Sequence, residues 1–133
     1  VNLSAHSLVL DSEGLSAWIA QDREVTAMLK AIDKSGAEFV VSANTLVEVS
    51  HARVNMPRLQ WALSQVQVEP VTEQSARAAA RLLKDTGLHG HKYAIDATVA
   101  EMALRQPGPV VMLTSDIDDM ARLCGERVRL IGL

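Results

Sequence analysis

The sequence predicts an α/β fold: a mainly parallel central sheet of four to five strands, flanked by helices on both faces. Short, wholly apolar runs of the kind buried on both sides of a sheet alternate along the chain with segments of helical periodicity. That alternation is the pattern of βα units, and their number sets the size of the sheet. The chain has 133 residues, no internal repeat and no linker rich in proline, glycine or serine, so it reads as a single domain over residues 1–133.

Ser7–Leu10 (Ser-Leu-Val-Leu) is too short for a helix and runs into Asp11, giving the first strand. Residues 14–20 and 22–32 read as a helical hairpin. In its second helix Val25, Met28, Leu29 and Ile32 fall at i, i+3, i+4 and i+7, and Ser35-Gly36 closes it. Glu38–Ser42 is the second strand. Residues 45–54 and 58–66 are predicted helices, divided by Asn55, Met56 and Pro57 because proline disfavours helix in the residue before it. A third short strand falls within residues 66–71. Thr72 caps a helix reaching Thr86, whose Ala76, Ala79, Ala80 and Leu83 form a stripe of small side chains suited to packing on the sheet, and Gly87 ends it. A loop with His89, Gly90, His91 and Lys92 leads to a helix over residues 93–105. Pro107-Gly108-Pro109 then introduces a buried strand over residues 110–113, which ends at Thr114-Ser115-Asp116. A helix over residues 116–124, stopped by Gly125, precedes the last strand over residues 127–131.

Composition narrows the function classes. With 48% hydrophobic and 22% charged residues the chain is neither disordered nor fibrous. Thirteen Lys and Arg against sixteen Asp and Glu leave a net charge of −3, so the overall field repels phosphate and any nucleic-acid contact needs a local patch. The lone Cys124 and four scattered His supply neither a disulfide nor a zinc cluster, which points to a reducing compartment. Residues 1–10 carry no basic leader and too short an apolar run for a signal peptide. No 18 apolar residues run together, so no membrane partner is expected and the expected location is the cytoplasm.

Four acids stand out. Asp11 and Asp116 fall at the carboxyl ends of predicted strands, where open parallel sheets bind ligands. Glu48 lies between Val47 and Val49, and Asp96 shares a helical face with Val99, Ala100 and Ala103, which should point at the sheet. Carboxylates in apolar surroundings are costly and repel one another unless a cation neutralises them, and a divalent metal is the simplest such cation. Each acid also has an ordinary structural role open to it. Asp11 could cap a helix, Thr45-Leu-Val-Glu48 fits a capping box, the residues from Ser115 to Asp118 have similar spacing, and Asp96 could pair with Lys92. It is the combination of four at one sheet edge that signals a site.

The run Leu-Val-Leu-Asp11-Ser12, the acid in Thr45-Leu-Val-Glu48-Val, the stretch Tyr93-Ala-Ile-Asp96-Ala-Thr-Val-Ala100, and Val-Val-Met-Leu-Thr-Ser-Asp116-Ile-Asp-Asp119 together resemble the PIN-domain ribonucleases. The resemblance is to the VapC toxins of bacterial type II toxin–antitoxin pairs in particular, and it spans nearly the whole chain. It implies a PIN-like three-layer sandwich and a hydrolase that cuts RNA phosphodiester bonds with Mg²⁺ or Mn²⁺. It also implies that Asp11, Glu48, Asp96 and Asp116 serve the metal-dependent chemistry. Two departures stand beside it: Glu13 occupies a place where the family often has a small polar residue, and Asp118 and Asp119 compete with Asp116. Asp116 is favoured as the metal ligand, with Asp119 one turn later in support and Asp118 a solvated charge at the helix start.

Mg²⁺ keeps several waters, so one or two direct carboxylates suffice, and Asp11 and Asp96 are the expected direct ligands. Glu48 could orient or deprotonate the attacking water. Ser12 and Ser115 could hydrogen-bond metal waters or cap helices, and substrate phosphates need Arg53, Arg58, His51, His91 or Lys92 near the cleft. The resemblance further implies a homodimer and a cognate VapB-like antitoxin, held in a groove made partly by the early helices, where Trp18 and Ile19 sit. Trp18 and Trp61 either cover the core edge or stand exposed and face a partner. Glu48-Val-Ser-His51 is a single Glu-x-x-His pair, where a di-iron bundle needs two. A dehalogenase-type phosphatase would need Asp where Glu13 stands, and a receiver domain would need a lysine after the last strand, where residues 127–133 have none. The stronger alternative is a PIN-like module that binds RNA or protein without cutting.

Overall fold

The computed structural model describes residues 4–133; Val1 to Leu3, part of the stretch read as lacking a leader, lie outside the described residues. Five strands form one sheet in the order β3-β2-β1-β4-β5, every adjacent pair parallel: β1 Ser7–Leu10, β2 Glu38–Ser42, β3 Gln67–Glu69, β4 Val110–Thr114 and β5 Arg129–Gly132. The helices are α1 Ser12–Ile19, α2 Arg23–Asp33, α3 Ala43–Val49, α4 Met56–Ser64, α5 Glu73–Thr86, α6 Gly90–Arg105 and α7 Ile117–Cys124. This is the predicted α/β sandwich with a parallel sheet between helical layers.

The central strand explains the layering. Successive side chains of a strand point to opposite faces, so Leu8 and Leu10 enter one core with α1 to α4, while Val9 enters the other with α6 and α7. All four residues of β1 are buried, as a strand covered on both faces requires. The chain leaves β1 toward β2 on one side and returns to β4 on the other. A crevice at the carboxyl ends of β1 and β4 follows from that reversal.

Several boundaries differ from the sequence reading, each for a local reason. The helix expected over residues 45–54 starts earlier and stops at Val49, because Ser42 rather than Thr45 caps it, accepting from Asn44 N–H at 3.2 Å. The Thr45–Glu48 capping box does not form. Met56 and Pro57 belong to α4 instead of dividing two helices: Asn55 is the cap, accepting from Arg58 N–H, and proline in the first turn loses no intrahelical bond. Thr72 caps α5 as expected, in a reciprocal box with Ser75. The alanine stripe does not meet the sheet. Ala79 is buried but Ala76 and Ala80 are exposed, and α5 packs chiefly on α6. The His89 loop is the start of α6, which is kinked at the non-helical Tyr93. Of the two roles open to it Trp18 takes the core edge, 6% exposed and turned inward against Phe39, whereas Trp61 is 42% exposed. No helix among the described residues is long and apolar enough to cross a membrane.

Candidate active site

The crevice is built around Asp11. It follows the last residue of β1, caps α1 and accepts from Gly14 N–H at 2.9 Å. Gly14 lets α1 approach β4 closely, since a Cβ there would lie 3.2 Å from the Leu113 carbonyl oxygen. Asp11 is only 5% exposed. Burial pushes its carboxyl above the ordinary range, hydrogen bonds from the Thr114 side chain and from the Gly14 and Ser115 backbones pull it back, and Asp116 adds repulsion.

Thr114, the buried last residue of β4, ties two acids together. Its hydroxyl bonds Asp11 and accepts from the backbone N–H of Asp116 at 2.9 Å. Asp116 precedes α7 at the capping position yet makes no side-chain cap, which leaves an exposed carboxylate beside Asp11. Asp119 is half-buried one turn on, while Asp118 is exposed.

The remaining acids come from two helices joined by a polar contact, Asn44 Nδ2 of α3 donating to Thr98 Oγ1 of α6 at 3.2 Å. Asp96 is half-buried on α6. Desolvation, then repulsion from Asp116, Glu48, Asp119 and Asp11 in that order, pushes its carboxyl up to about 6. The pairing with Lys92 is not made; Lys92 Nζ lies over the Tyr93 ring instead, 5.2 Å from its centroid. Glu48 is exposed beside Val47, itself 74% exposed, so the apolar setting expected for it is corrected. The flanking valines mislead because a short helix turns Val49 inward and Val47 out.

Five carboxylates from four separate segments therefore share one field, centred on Asp96. Among the described residues no group of three or more His, Cys, Asp or Glu could hold a metal ion as placed. The acids are near enough to repel but do not close into a cage. That arrangement fits a hard cation that keeps its waters, bound directly by one or two carboxylates and reached by the others through water.

The other candidates are dispersed. Ser12 is half-buried at the start of α1, and Ser115 contributes its backbone N–H to Asp11. Arg53 is exposed, and its backbone N–H donates to His51 Nδ1. Arg58 lies elsewhere, over the Trp61 ring. His89 caps α6, its Nδ1 accepting from His91 N–H at 3.3 Å. Glu13 is exposed and does not rank among the charges that raise Asp11 or Asp96. Sequence reasoning missed Thr114, Asn44 and Thr98 as parts of the site. A hydroxyl two residues before an acid at a strand end was a usable signal for Thr114; the Asn44–Thr98 contact spans 54 positions and had none.

A separate groove of about 1080 Å³ lies against α1, α2, α4 and the start of β2, lined among others by Trp18, Phe39, Arg58 and Trp61. None of the five acids lines it.

A sequence model of the PIN domain matches residues 8–126, which takes in all five acids. No curated protein matches the chain. Among solved structures, a chain of VapBC2 from Rickettsia felis, bound to a DNA fragment from their promoter, aligns over 96% of this chain and 98% of its own with a TM-score of 0.73 and 16% identity. A chain of a toxin–antitoxin complex from Klebsiella pneumoniae aligns over 91% and 94% with a TM-score of 0.68 and 19% identity. At these identities the likeness is one of fold.

Proposed function

The chain belongs to the PIN-domain family, and from that premise we propose that it is a Mg²⁺- or Mn²⁺-dependent endoribonuclease acting as the toxin of a VapBC-type pair. One observation carries the reading: five carboxylates converge on the crevice where β1 and β4 end, and Asp96 is held well above the usual carboxylate range first by desolvation and then by repulsion from the other four. Such mutual repulsion is a standing cost unless a cation is bound.

In this reading Asp11 and Asp96 are the direct ligands. Asp11 is already oriented by the Gly14 N–H bond, and the Thr114 hydroxyl and Ser115 N–H favour its charged form, so little ordering is left for binding. Asp116, held beside it through Thr114, and Asp119 hold waters of the ion from α7. Glu48 is exposed to bulk water, which suits it to orient the attacking water or accept its proton. When bound, the ion lowers the pKa of a water and polarises the phosphoryl group. Ser12 and Ser115 stand at the rim, and Arg53, His51, His91 and Lys92 are the exposed basic groups available to RNA phosphates.

The partner assignment rests on the groove beside Trp18 and on fold likeness to a chain of VapBC2 and to a chain of a toxin–antitoxin complex. A VapB-like antitoxin is proposed to fill that groove, on a homodimeric, cytoplasmic, single-domain toxin. The test is incubation of the pure protein with total RNA in Mg²⁺, in Mn²⁺ and in EDTA, with Asp96→Asn in parallel. Discrete cleavage that needs the metal and is lost in the variant is expected. Identical fragments from both proteins, or none in any metal, would replace the enzyme with a PIN-like binding module.

A further inference from the structure

Arg58 takes no part in the chemistry above. It sits in the first turn of α4, and its guanidinium carbon lies 4.3 Å from the centroid of the Trp61 ring one turn along. Trp61 meets Trp18 edge-on at 5.3 Å, and Trp18 meets Phe39 in the same manner at 5.8 Å, so the cation rests on the outermost ring of an aromatic ladder. Arg58 is half-buried, and its Nε is buried with no acceptor. The ion pairs among the described residues join Arg77 to Glu73 and Arg105 to Glu101, and neither reaches Arg58. The first turn of α4 carries no acid, and the backbone N–H groups there add positive potential to that of the guanidinium.

The buried Nε shows that the protein itself offers the guanidinium no acceptor, and the part of the half-buried group still open to the groove matches a carboxylate in charge and shape. The groove supplies none at Arg58, and Arg23, Lys30 and Arg58 outnumber Asp33 and Glu38 along its walls. Arg and Trp are also the side chains on which interface energy concentrates. We propose that Arg58 is the anchor by which this groove captures a peptide segment of a partner protein: the segment places a carboxylate against the guanidinium while an apolar side chain packs on Trp18 and Trp61. The assignment of that segment to an antitoxin rests on the toxin reading; the anchor itself does not.

Both tryptophans of the chain line the groove, so intrinsic fluorescence reports its occupancy. The full chain is used to select binders from a library of randomised, tryptophan-free peptides, and the best binder is titrated. The selected peptides are expected to carry Asp or Glu at a fixed place beside apolar residues, to shift the emission of Trp18 and Trp61, and to lose about tenfold in affinity when that acid is exchanged for its amide. Against Arg58→Gln the same exchange should change affinity less than about twofold, and Arg58→Lys, which keeps the charge without the fork, should restore only part of the difference. Circular dichroism identifies any variant that fails to fold, and the peptide exchange on the wild-type chain stands without it. Peptides with no enriched acid, an exchange that costs as much in Arg58→Gln, or a groove already closed by a second copy of the chain would each overturn the anchor. Selection needs neither RNA nor metal, so acid-dependent binding in a protein that cuts no RNA keeps the anchor and removes the toxin.

Discussion

Replacing Asp96 by Asn should make the metal-free protein more stable at about pH 8. The folded state raises this carboxyl from 3.8 to about 6, a rise of about two pH units. At about 1.4 kcal/mol per unit this sets a ceiling of about 3 kcal/mol, and solvent screening at a half-buried site reduces it to about 1–2 kcal/mol. The sign follows from proton linkage. A carboxyl that holds its proton more tightly when folded contributes stability that is fully present below about pH 3.8 and is lost as pH rises through about 6. Above that the wild type carries a desolvated charge and the repulsion of Asp116, Glu48, Asp119 and Asp11, and the amide carries neither. No hydrogen bond contributes to the Asp96 shift, so the exchange chiefly removes charge. Urea denaturation in EDTA should therefore show the variant ahead by about 1–2 kcal/mol at about pH 8, with the difference shrinking toward zero near pH 4. Saturating Mg²⁺ should reverse the order, because only the wild type gains binding energy. A gain that is absent at about pH 8, or equally large near pH 4, would refute the argument that Asp96 carries a desolvated charge in a repulsive field.

Mg²⁺ should raise the melting temperature of the wild type and leave that of Asp96→Asn nearly unchanged, as read by scanning calorimetry. Thr114→Val removes the hydroxyl that serves both Asp11 and the Asp116 N–H; a loss of about 1–3 kcal/mol in denaturant titration, with a fall in RNA cleavage, is expected. Thr45→Val should be neutral or stabilising by about 1 kcal/mol by the same measurement, because the Thr45 hydroxyl is buried with no partner. Gly14→Ala places a Cβ 3.2 Å from the Leu113 carbonyl and 3.3 Å from Leu10. The crowding should outweigh the better helix propensity of alanine and cost about 1–3 kcal/mol.

Much of this protein is written locally. β1 and β2 were legible to the residue because a short run with an apolar centre between turn signals has one good use, a strand of a covered sheet. The caps at Thr72 and Gly87 were legible too, since a capping hydroxyl and a left-handed glycine act over a few residues. The acids at strand ends could be named from their position beside such runs. What the sequence could not order is which helix faces which neighbour. Ser42 and Thr45 both read as possible caps, and the helix starts directly at the end of β2, where Ser42 is extended and accepts from Asn44 N–H. Glu48 consequently stands exposed, and on a separate helix Trp18 turns into the core against Phe39.

The amino-acid sequence by itself determined the α/β class, the parallel strands and the identity of the acids, because each depends on periodicity and chemistry within a short window. Only the tertiary structure decided that Asp11, Glu48, Asp96, Asp116 and Asp119 share one electrostatic field, that Thr114 joins two of them, and that Arg58 belongs to a different groove. Those relations are distances between segments far apart in the chain, set by the sheet order β3-β2-β1-β4-β5 and the packing of α3 and α6. Electrostatic repulsion and hydrogen bonding depend on distance in space, which no local pattern encodes.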